Sequence, residues 1–557
     1  MNHSKLPSFA LCFWLTTALF GCEPPAPGPQ GDSHTNWLRT CNTDDECGGL
    51  SCLCGVFTAR CSAEDACSVA PGSSCLPATH AGSVALCAGQ AAPHSGMCLP
   101  TCSTSGDCAT GQACVAGACQ PTAAPNASVS IDTTQSLQRL TGFGATVGYA
   151  EDQIATYSDQ AALNQAMFAG LGLDVLRFRN RYTDASEPPL QAAADIVASA
   201  ASSLGRAPLV LLGSWSPPAN LKQNGNTFCS DPATCTLTTT ASGSFDYAGL
   251  AAHWQSSLEA YARVGVQPDY IGIQNNPDWS PSGGASLEAC KFLPREGTEN
   301  VFVGGVGKPI QYPGYDRALA AIVGALAELP TRPRILAPEL SRIVGASDYM
   351  SRLDAATVDA VAHHMYGADP NALDLASLKE LAQLGTDMQV PLFQTEMQAD
   401  GFGTALLIHH SLVEGGASMY LQTALVGPLS GPAINPTALI GLEDERMVLQ
   451  DPYFAMSHFA RFTDPGWSRV AADTSTPGLL SSAWLSPSRD ALTIVLVNAG
   501  TDALNIALDL GAEQVRAAKL RRTTFDGPER FADLGEWAAT STVSLPPRSL
   551  ATVVIEE

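Results

Sequence analysis

Between residues 129 and 465, short apolar runs alternate with longer stretches of helical period. The apolar runs fall at 140–145, 174–179, 208–213, 269–274, 333–337, 359–363, 390–394 and 417–422. Runs that are apolar at successive positions, not alternate ones, suit strands buried on both faces of a parallel sheet. Between them, segments such as Phe245–Val264 and Tyr315–Leu329 repeat apolar residues every three or four positions, as a helix with one buried stripe does. Strand and helix alternating in this way predict an α/β fold, a (β/α)8 TIM barrel over 129–465. A doubly wound sheet is the alternative. It calls for a Gly-rich phosphate loop after the first strand, and Gly142-Phe-Gly-Ala-Thr-Val-Gly148 does not keep that spacing, so a nucleotide site is rejected.

After residue 466 the helical period disappears. Leu492–Asn498, Ala503–Leu510, Val515–Leu520 and Leu550–Ile555 read as short strands separated by Gly, Asp and Pro. They predict a C-terminal antiparallel β-sandwich over 466–557, which Ser128–Asp132 joins from before the barrel. Upstream, 41–120 is a disulfide-rich module holding thirteen of the 18 cysteines. The spacing Cys102-x5-Cys108-x5-Cys114-x4-Cys119 partly repeats Cys41-x5-Cys47-x4-Cys52. So few large apolar side chains occur there that bridges must replace a core. In an exported chain the spacing means disulfides, with a metal site as the alternative. Thirteen is odd, so one thiol is free or pairs outside the module. Cys229 and Cys235 bracket a polar loop and pair with each other, which leaves Cys290 as that thiol's candidate partner.

The chain opens with Lys5 and an apolar run, Phe9–Gly21, too short to span a bilayer. Leu19-Phe-Gly-Cys22 resembles the lipobox of bacterial lipoproteins, so 1–21 is expected to be a signal peptide and Cys22 the lipid-bearing residue. Ordinary secretion without lipid is the alternative. Residues 22–40 form a Pro- and Gly-rich tether, and Pro121–Asn126 a second linker ending in the sequon pattern Asn126-Ala-Ser128. Elsewhere no stretch is long and apolar enough to cross a membrane, so membrane contact is expected only through Cys22. The formal net charge of -24 repels phosphate and excludes nucleic acid as a partner. No cofactor is implied, and a monomer is expected. His363 and His364 are adjacent on a strand and point to opposite faces, so they do not ligate one metal together. One of them lines the cleft and the other is packed. No Gly-x-Ser-x-Gly elbow supports a Ser–His–Asp triad.

Two predicted strands end in polar side chains: Tyr270-Ile-Gly-Ile-Gln-Asn-Asn-Pro-Asp-Trp279 and Pro391-Leu-Phe-Gln-Thr-Glu396. In parallel barrels, catalytic groups sit at such strand ends. These two stretches resemble the catalytic strands of glycoside hydrolase family 30. Further resemblances occur in the same order: Leu140–Thr146, Gly172–Arg177, Ser214-Trp-Ser-Pro-Pro-Ala-Asn-Leu-Lys222, His363-His-Met-Tyr-Gly367 and Phe459–Gly466. The similarity spans roughly 129–557 and leaves out the cysteine-rich module. It implies retaining hydrolysis of β-glycosidic bonds by two carboxyl groups about 5–5.5 Å apart. On this resemblance Glu396 is the nucleophile, Arg177 keeps it ionised and oriented, and Asn275 bonds the sugar 2-hydroxyl. His364 and Tyr366 line the substrate cleft, and Trp215 and Trp279 offer flat faces to sugar rings.

One residue departs from the family pattern. Where the family has the acid/base glutamate, this chain has Asn276. A carboxamide neither donates a proton as an acid does nor takes one from water near neutral pH. Asp278 and Glu339 are candidate replacements. The expected activity is therefore hydrolysis of a β-linked polysaccharide, xylan or β-glucan, with Asn276 in the acid/base position. The alternatives are an enzyme limited to leaving groups that need no proton, a surface glycan-binding lipoprotein, and an adhesion unit whose functional part is the cysteine-rich module.

Overall fold

The computed structural model describes residues from Leu38 onward, except 39–40, 42–49, 63–66, 68–72, 88–95, 104–107, 109–111, 122–124, 184–189, 282–285, 304, 432–433, 512–514, 540 and 557. The expected signal peptide, Cys22, most of the expected tether and Cys47 lie outside the described residues. The chain divides into two compact units, 1–121 and 122–557.

The first unit is built from two-stranded antiparallel ladders and held by bridges. Cys41–Cys52, Cys54–Cys87, Cys61–Cys75, Cys67–Cys98, Cys102–Cys114 and Cys108–Cys119 are disulfides. Its apolar cluster is small, centred on Leu38, Leu53, Leu76, Met97 and Leu99. Cross-links therefore do what burial does in larger domains. This number of bridges is a mark of chains that fold in an oxidising, exported compartment.

The second unit contains a closed parallel barrel: β1 (Gly142–Thr146), β2 (Val175–Arg179), β3 (Leu209–Gly213), β4 (Tyr270–Gly272), β5 (Arg334–Leu340), β6 (Ala360–His364), β7 (Leu392–Met397) and β8 (Met419–Thr423). Each strand pairs with the next in sequence, and β8 returns to β1. All eight expected runs supply a strand. The helices form where the period placed them: Tyr247–Arg263 is capped by Asp246, whose carboxylate accepts from Gly249 N at 2.8 Å. Alternate residues fill the barrel axis with an apolar layer of Val175, Leu211, Tyr270, Leu336, Ala360, Ala362, Phe393, Met419 and Leu421. Tyr270 meets Phe393 edge-to-face at 5.2 Å. This layer closes the barrel from below, so the polar ends of the strands line its mouth.

The C-terminal strands are hydrogen-bonded into one nine-stranded sheet that includes Ala127–Arg139. Hydrogen bonds run through all nine strands, and strands from both ends of the order share one apolar cluster, Ile506 and Val543 with Ile494 and Val553, as the expected sandwich requires. The sheet is antiparallel except where Leu504–Asp509 runs parallel to Ala127–Arg139. Because that strand enters from the far end of the sequence, its parallel pairing is not legible in the local pattern. Among the described residues no helix is long and apolar enough to cross a membrane.

Candidate active site

Simple alternation would not assemble the barrel mouth. On β7, Phe393 faces the axis, so strict period two would turn Thr395 inward and Glu396 away. The pairing shifts register between Gln394 and Met397, and similar shifts fall at Pro338/Leu340 on β5 and His363/His364 on β6. These irregularities bring Glu339, His364, Thr395 and Glu396 into one network. Two of its members also have left-handed backbone, Asn276 at φ 48° and Glu339 at φ 58°. Asparagine adopts that region readily, whereas a glutamate there is strained and is held by its surroundings.

Arg177, on β2, is the hub. Its Nη1 donates to Glu396 Oε2 at 2.6 Å, and its Nη2 donates to Glu339 Oε1 at 2.9 Å and to Asn275 Oδ1 at 2.8 Å. The guanidinium lies over the Trp215 ring, 4.4 Å from its centroid. Burial opposes the charge on Arg177, and the two carboxylates more than offset it, so it stays protonated. Tyr366 donates to the other oxygen of Glu396, Oε1, at 2.8 Å. One cation and one hydroxyl thus hold the Glu396 carboxylate from two sides.

Glu339 is 1% exposed. Burial pushes its carboxyl above the usual range; Arg177 opposes that shift and Glu396 adds to it. Its Oε2 makes no hydrogen bond and sits against Gly272, where any Cβ would collide with it. Asn276 Oδ1 is 2.8 Å from His364 Nδ1, and His364 Nε2 is 3.1 Å from Thr395 Oγ1. His364 is fully buried; burial, then Arg177 and His363, hold its ring well below the usual imidazole range, so it is neutral. His363 enters none of these bonds, and burial pushes it down to about 4.

Of the two candidate replacement acids, Asp278 is committed elsewhere: its oxygens accept from Ser341 N at 2.8 Å and Ser341 Oγ at 2.7 Å. Glu339 is too deep to touch a ligand. Trp279 is half-buried against Cys229, Cys235 and Ala289. The Cys229–Cys235 bridge forms as expected. Cys290, however, is a free, buried thiol of the barrel unit and not the partner of a module cysteine.

Sequence reasoning overlooked a rim group. Tyr149, 60% exposed, donates to Glu288 at 2.8 Å, and Arg179 binds both Glu288 oxygens at 2.8 Å while lying 4.2 Å over the Tyr149 ring. These residues come from a turn, the end of β2 and the short strand Leu287–Glu288, with no shared motif, so only the fold joins them. Thr395 was likewise given no role, because its contact with His364 is made across neighbouring strands and no local pattern joins the two.

The chain matches no protein-family model. Its fold does match solved structures. A glycoside hydrolase family 30 subfamily 8 xylanase from Clostridium acetobutylicum aligns over 77% of this chain and 100% of its own, at 20% identity and a TM-score of 0.60. A family 30 endoxylanase from Clostridium papyrosolvens aligns over the same shares at 18% identity and a TM-score of 0.58. An endo-β-1,6-glucanase aligns over 77% of this chain and 94% of its own, at 12% identity and a TM-score of 0.55. The barrel and its attached sheet are thus similar in fold to family 30 glycoside hydrolases.

Proposed function

We propose that this protein is a retaining O-glycoside hydrolase acting on a β-linked polysaccharide, xylan or β-glucan, with Glu396 as its nucleophile. The observation that carries this is the seating of Glu396. A carboxylate bonded by Arg177 at 2.6 Å on one oxygen and by Tyr366 at 2.8 Å on the other is fixed and aimed, as attack on an anomeric carbon requires. Asn275 gives its oxygen to Arg177, which leaves its Nδ2 hydrogens as donors for a sugar hydroxyl. The open faces of Trp215 and Tyr149 suit pyranose stacking. The carboxylate forms the new bond to the anomeric carbon as the glycosidic C–O bond breaks, and water later releases the sugar. Asn276 occupies the acid/base position.

Turnover of xylan and β-glucans by the purified chain, abolished in Glu396→Gln, tests the proposal. Absence of turnover on glycans and on activated aryl glycosides would refute it. One observation favours a second function: Asn276 fits a glycan-binding protein, for which binding would be saturable and survive Glu396→Gln. Export as a lipoprotein through Cys22 belongs to the same proposal. Metabolic labelling with a radioactive fatty acid, lost in Cys22→Ala, checks it.

A further inference from the structure

Strand β2 carries Val175, Arg177 and Arg179 at alternate positions, and it pairs with both neighbouring strands without a register shift. Val175 belongs to the apolar layer on the barrel axis, so Arg177 and Arg179 face the axis too, each farther toward the mouth. Two residues of strand set them about 6.5 Å apart, on the scale of one sugar ring. Each guanidinium lies against one face of an aromatic ring: Arg177 over Trp215 at 4.4 Å, and Arg179 over Tyr149 at 4.2 Å. The two rings come from the segments after β3 and β1, so they flank β2 at successive levels of the cleft wall.

The outer ring is built to stay still. Tyr149 is 60% exposed, yet Arg179 holds its face and its hydroxyl donates to Glu288 at 2.8 Å. Arg179 in turn donates to both Glu288 oxygens at 2.8 Å, and this pair is largely buried, at 18% and 9% exposure. Glu288 sits on the ladder of Phe228–Cys229 with Leu287–Glu288, and Cys229 is bridged to Cys235. Buried Lys222 ties the supports of the two rings together. It donates to Ser216 Oγ, beside Trp215, at 3.1 Å, and to the carbonyl of Ala289, beside Glu288. Folding alone gains little from fixing an exposed ring this firmly. A ligand gains more, because a ring already held in place loses little freedom when it is covered. The face of Tyr149 turned away from Arg179 is a preformed stacking surface. Arg179 and Glu288 neutralise each other, so that surface suits the C–H face of an uncharged pyranose.

We propose that Tyr149 forms a second sugar subsite, one ring farther along the glycan than the sugar held at Glu396, and that it makes binding depend on chain length. The nature of the ligand rests on the hydrolase reading above. Tyr149 is here a specificity-determining residue, which touches the polysaccharide and not the bond being cut.

The test measures Kd by calorimetry for hexasaccharides and disaccharides of β-linked xylose and of β-linked glucose. Full-length Glu396→Gln is the background, so that no chain is cut, and Tyr149→Ala and Tyr149→Phe are added to it. Tyr149 is exposed, so both variants should keep the melting temperature of the background. Tyr149→Ala should weaken hexasaccharide binding about 10-fold or more, with a far smaller change for the disaccharide. Tyr149→Phe keeps the ring on Arg179 and should stay within about 3-fold of the background. Unchanged hexasaccharide binding in Tyr149→Ala would overturn the subsite. So would equal losses at both chain lengths, equal losses in the Ala and Phe variants, or no binding of any of these glycans. Turnover by the protein with Glu396 intact decides the hydrolase reading separately. Turnover with no effect of Tyr149→Ala removes the subsite alone. A chain-length-dependent loss in Tyr149→Ala without any turnover upholds the subsite as a glycan contact and removes the hydrolase reading alone.

Discussion

Replacing Arg177 by Met keeps most of the side-chain volume and removes the one positive charge shared by Glu339, Glu396 and Asn275. Coulomb attraction between charges about 4 Å apart is worth about 4 kcal/mol at an effective dielectric near 20. Breaking a buried pair by deleting one partner costs about 3–5 kcal/mol, because the remaining charge is left uncompensated. Lost contact with the Trp215 face adds about 0.5–2 kcal/mol. A total of about 3.5–7 kcal/mol is a large fraction of the roughly 5–15 kcal/mol that holds a domain together. The cost has a sign with pH. Without the guanidinium the Glu339 carboxyl, already pushed up by burial, binds its proton still more tightly folded than unfolded, so the variant regains stability as pH falls and loses it as pH rises. Urea unfolding followed by tryptophan fluorescence, at about pH 7 and about pH 5, measures the gap between the two proteins. The gap should exceed about 3 kcal/mol near neutrality and shrink on acidification. A gap below about 1 kcal/mol, or one equal at both pH values, would refute the shared-charge account.

Tyr366→Phe removes one hydrogen bond to Glu396, worth about 1.5–3 kcal/mol to a charged partner, and should lower kcat/KM about 10- to 150-fold in steady-state assays without unfolding the protein. Opening the Cys229–Cys235 loop with a double Ser substitution should cost about 2 kcal/mol in chemical denaturation and raise KM, because Trp279 packs on that bridge. His458 is buried between Thr552 and Thr523, at 2.7 and 2.8 Å, and burial pushes its ring down to about 3. The unfolded chain takes up that proton below about pH 6.5 and the folded one does not. Stability therefore falls by about 1.4 kcal/mol per unit as pH drops below that point, and His458→Asn should flatten the fall by about 2 kcal/mol between pH 6.5 and 5.

The barrel was legible because its strands are buried on both faces and so write themselves as continuous apolar runs. Glu396 was legible because it follows such a run, and Arg177 because it stands in the family-like stretch Gly172–Arg177. What the sequence hid was the consequence of irregular pairing. Period two turns Glu396 away from the axis group, and only the register shift on β7 brings it into one network with Thr395 and His364. Glu339 could be named as an acid near the site, but not placed below its floor, because that depends on the bare backbone of Gly272. Asp278 had the right spacing, and only the structure shows its carboxylate bound by Ser341. Cys290 was assigned a partner from cysteine parity, a rule that ignores burial.

The central claim is that Glu396 attacks an anomeric carbon. It is tested most directly by incubating the protein with 2,4-dinitrophenyl 2-deoxy-2-fluoro β-glycosides of xylobiose and of gluco-oligosaccharides, then mapping the adduct by mass spectrometry. The leaving group departs without a proton, so the outcome does not depend on Asn276. The account predicts burst release of one equivalent of dinitrophenol and a glycosyl mass on the peptide that contains Glu396, with neither in Glu396→Gln. An unmodified protein, or a label on another carboxylate, would contradict it.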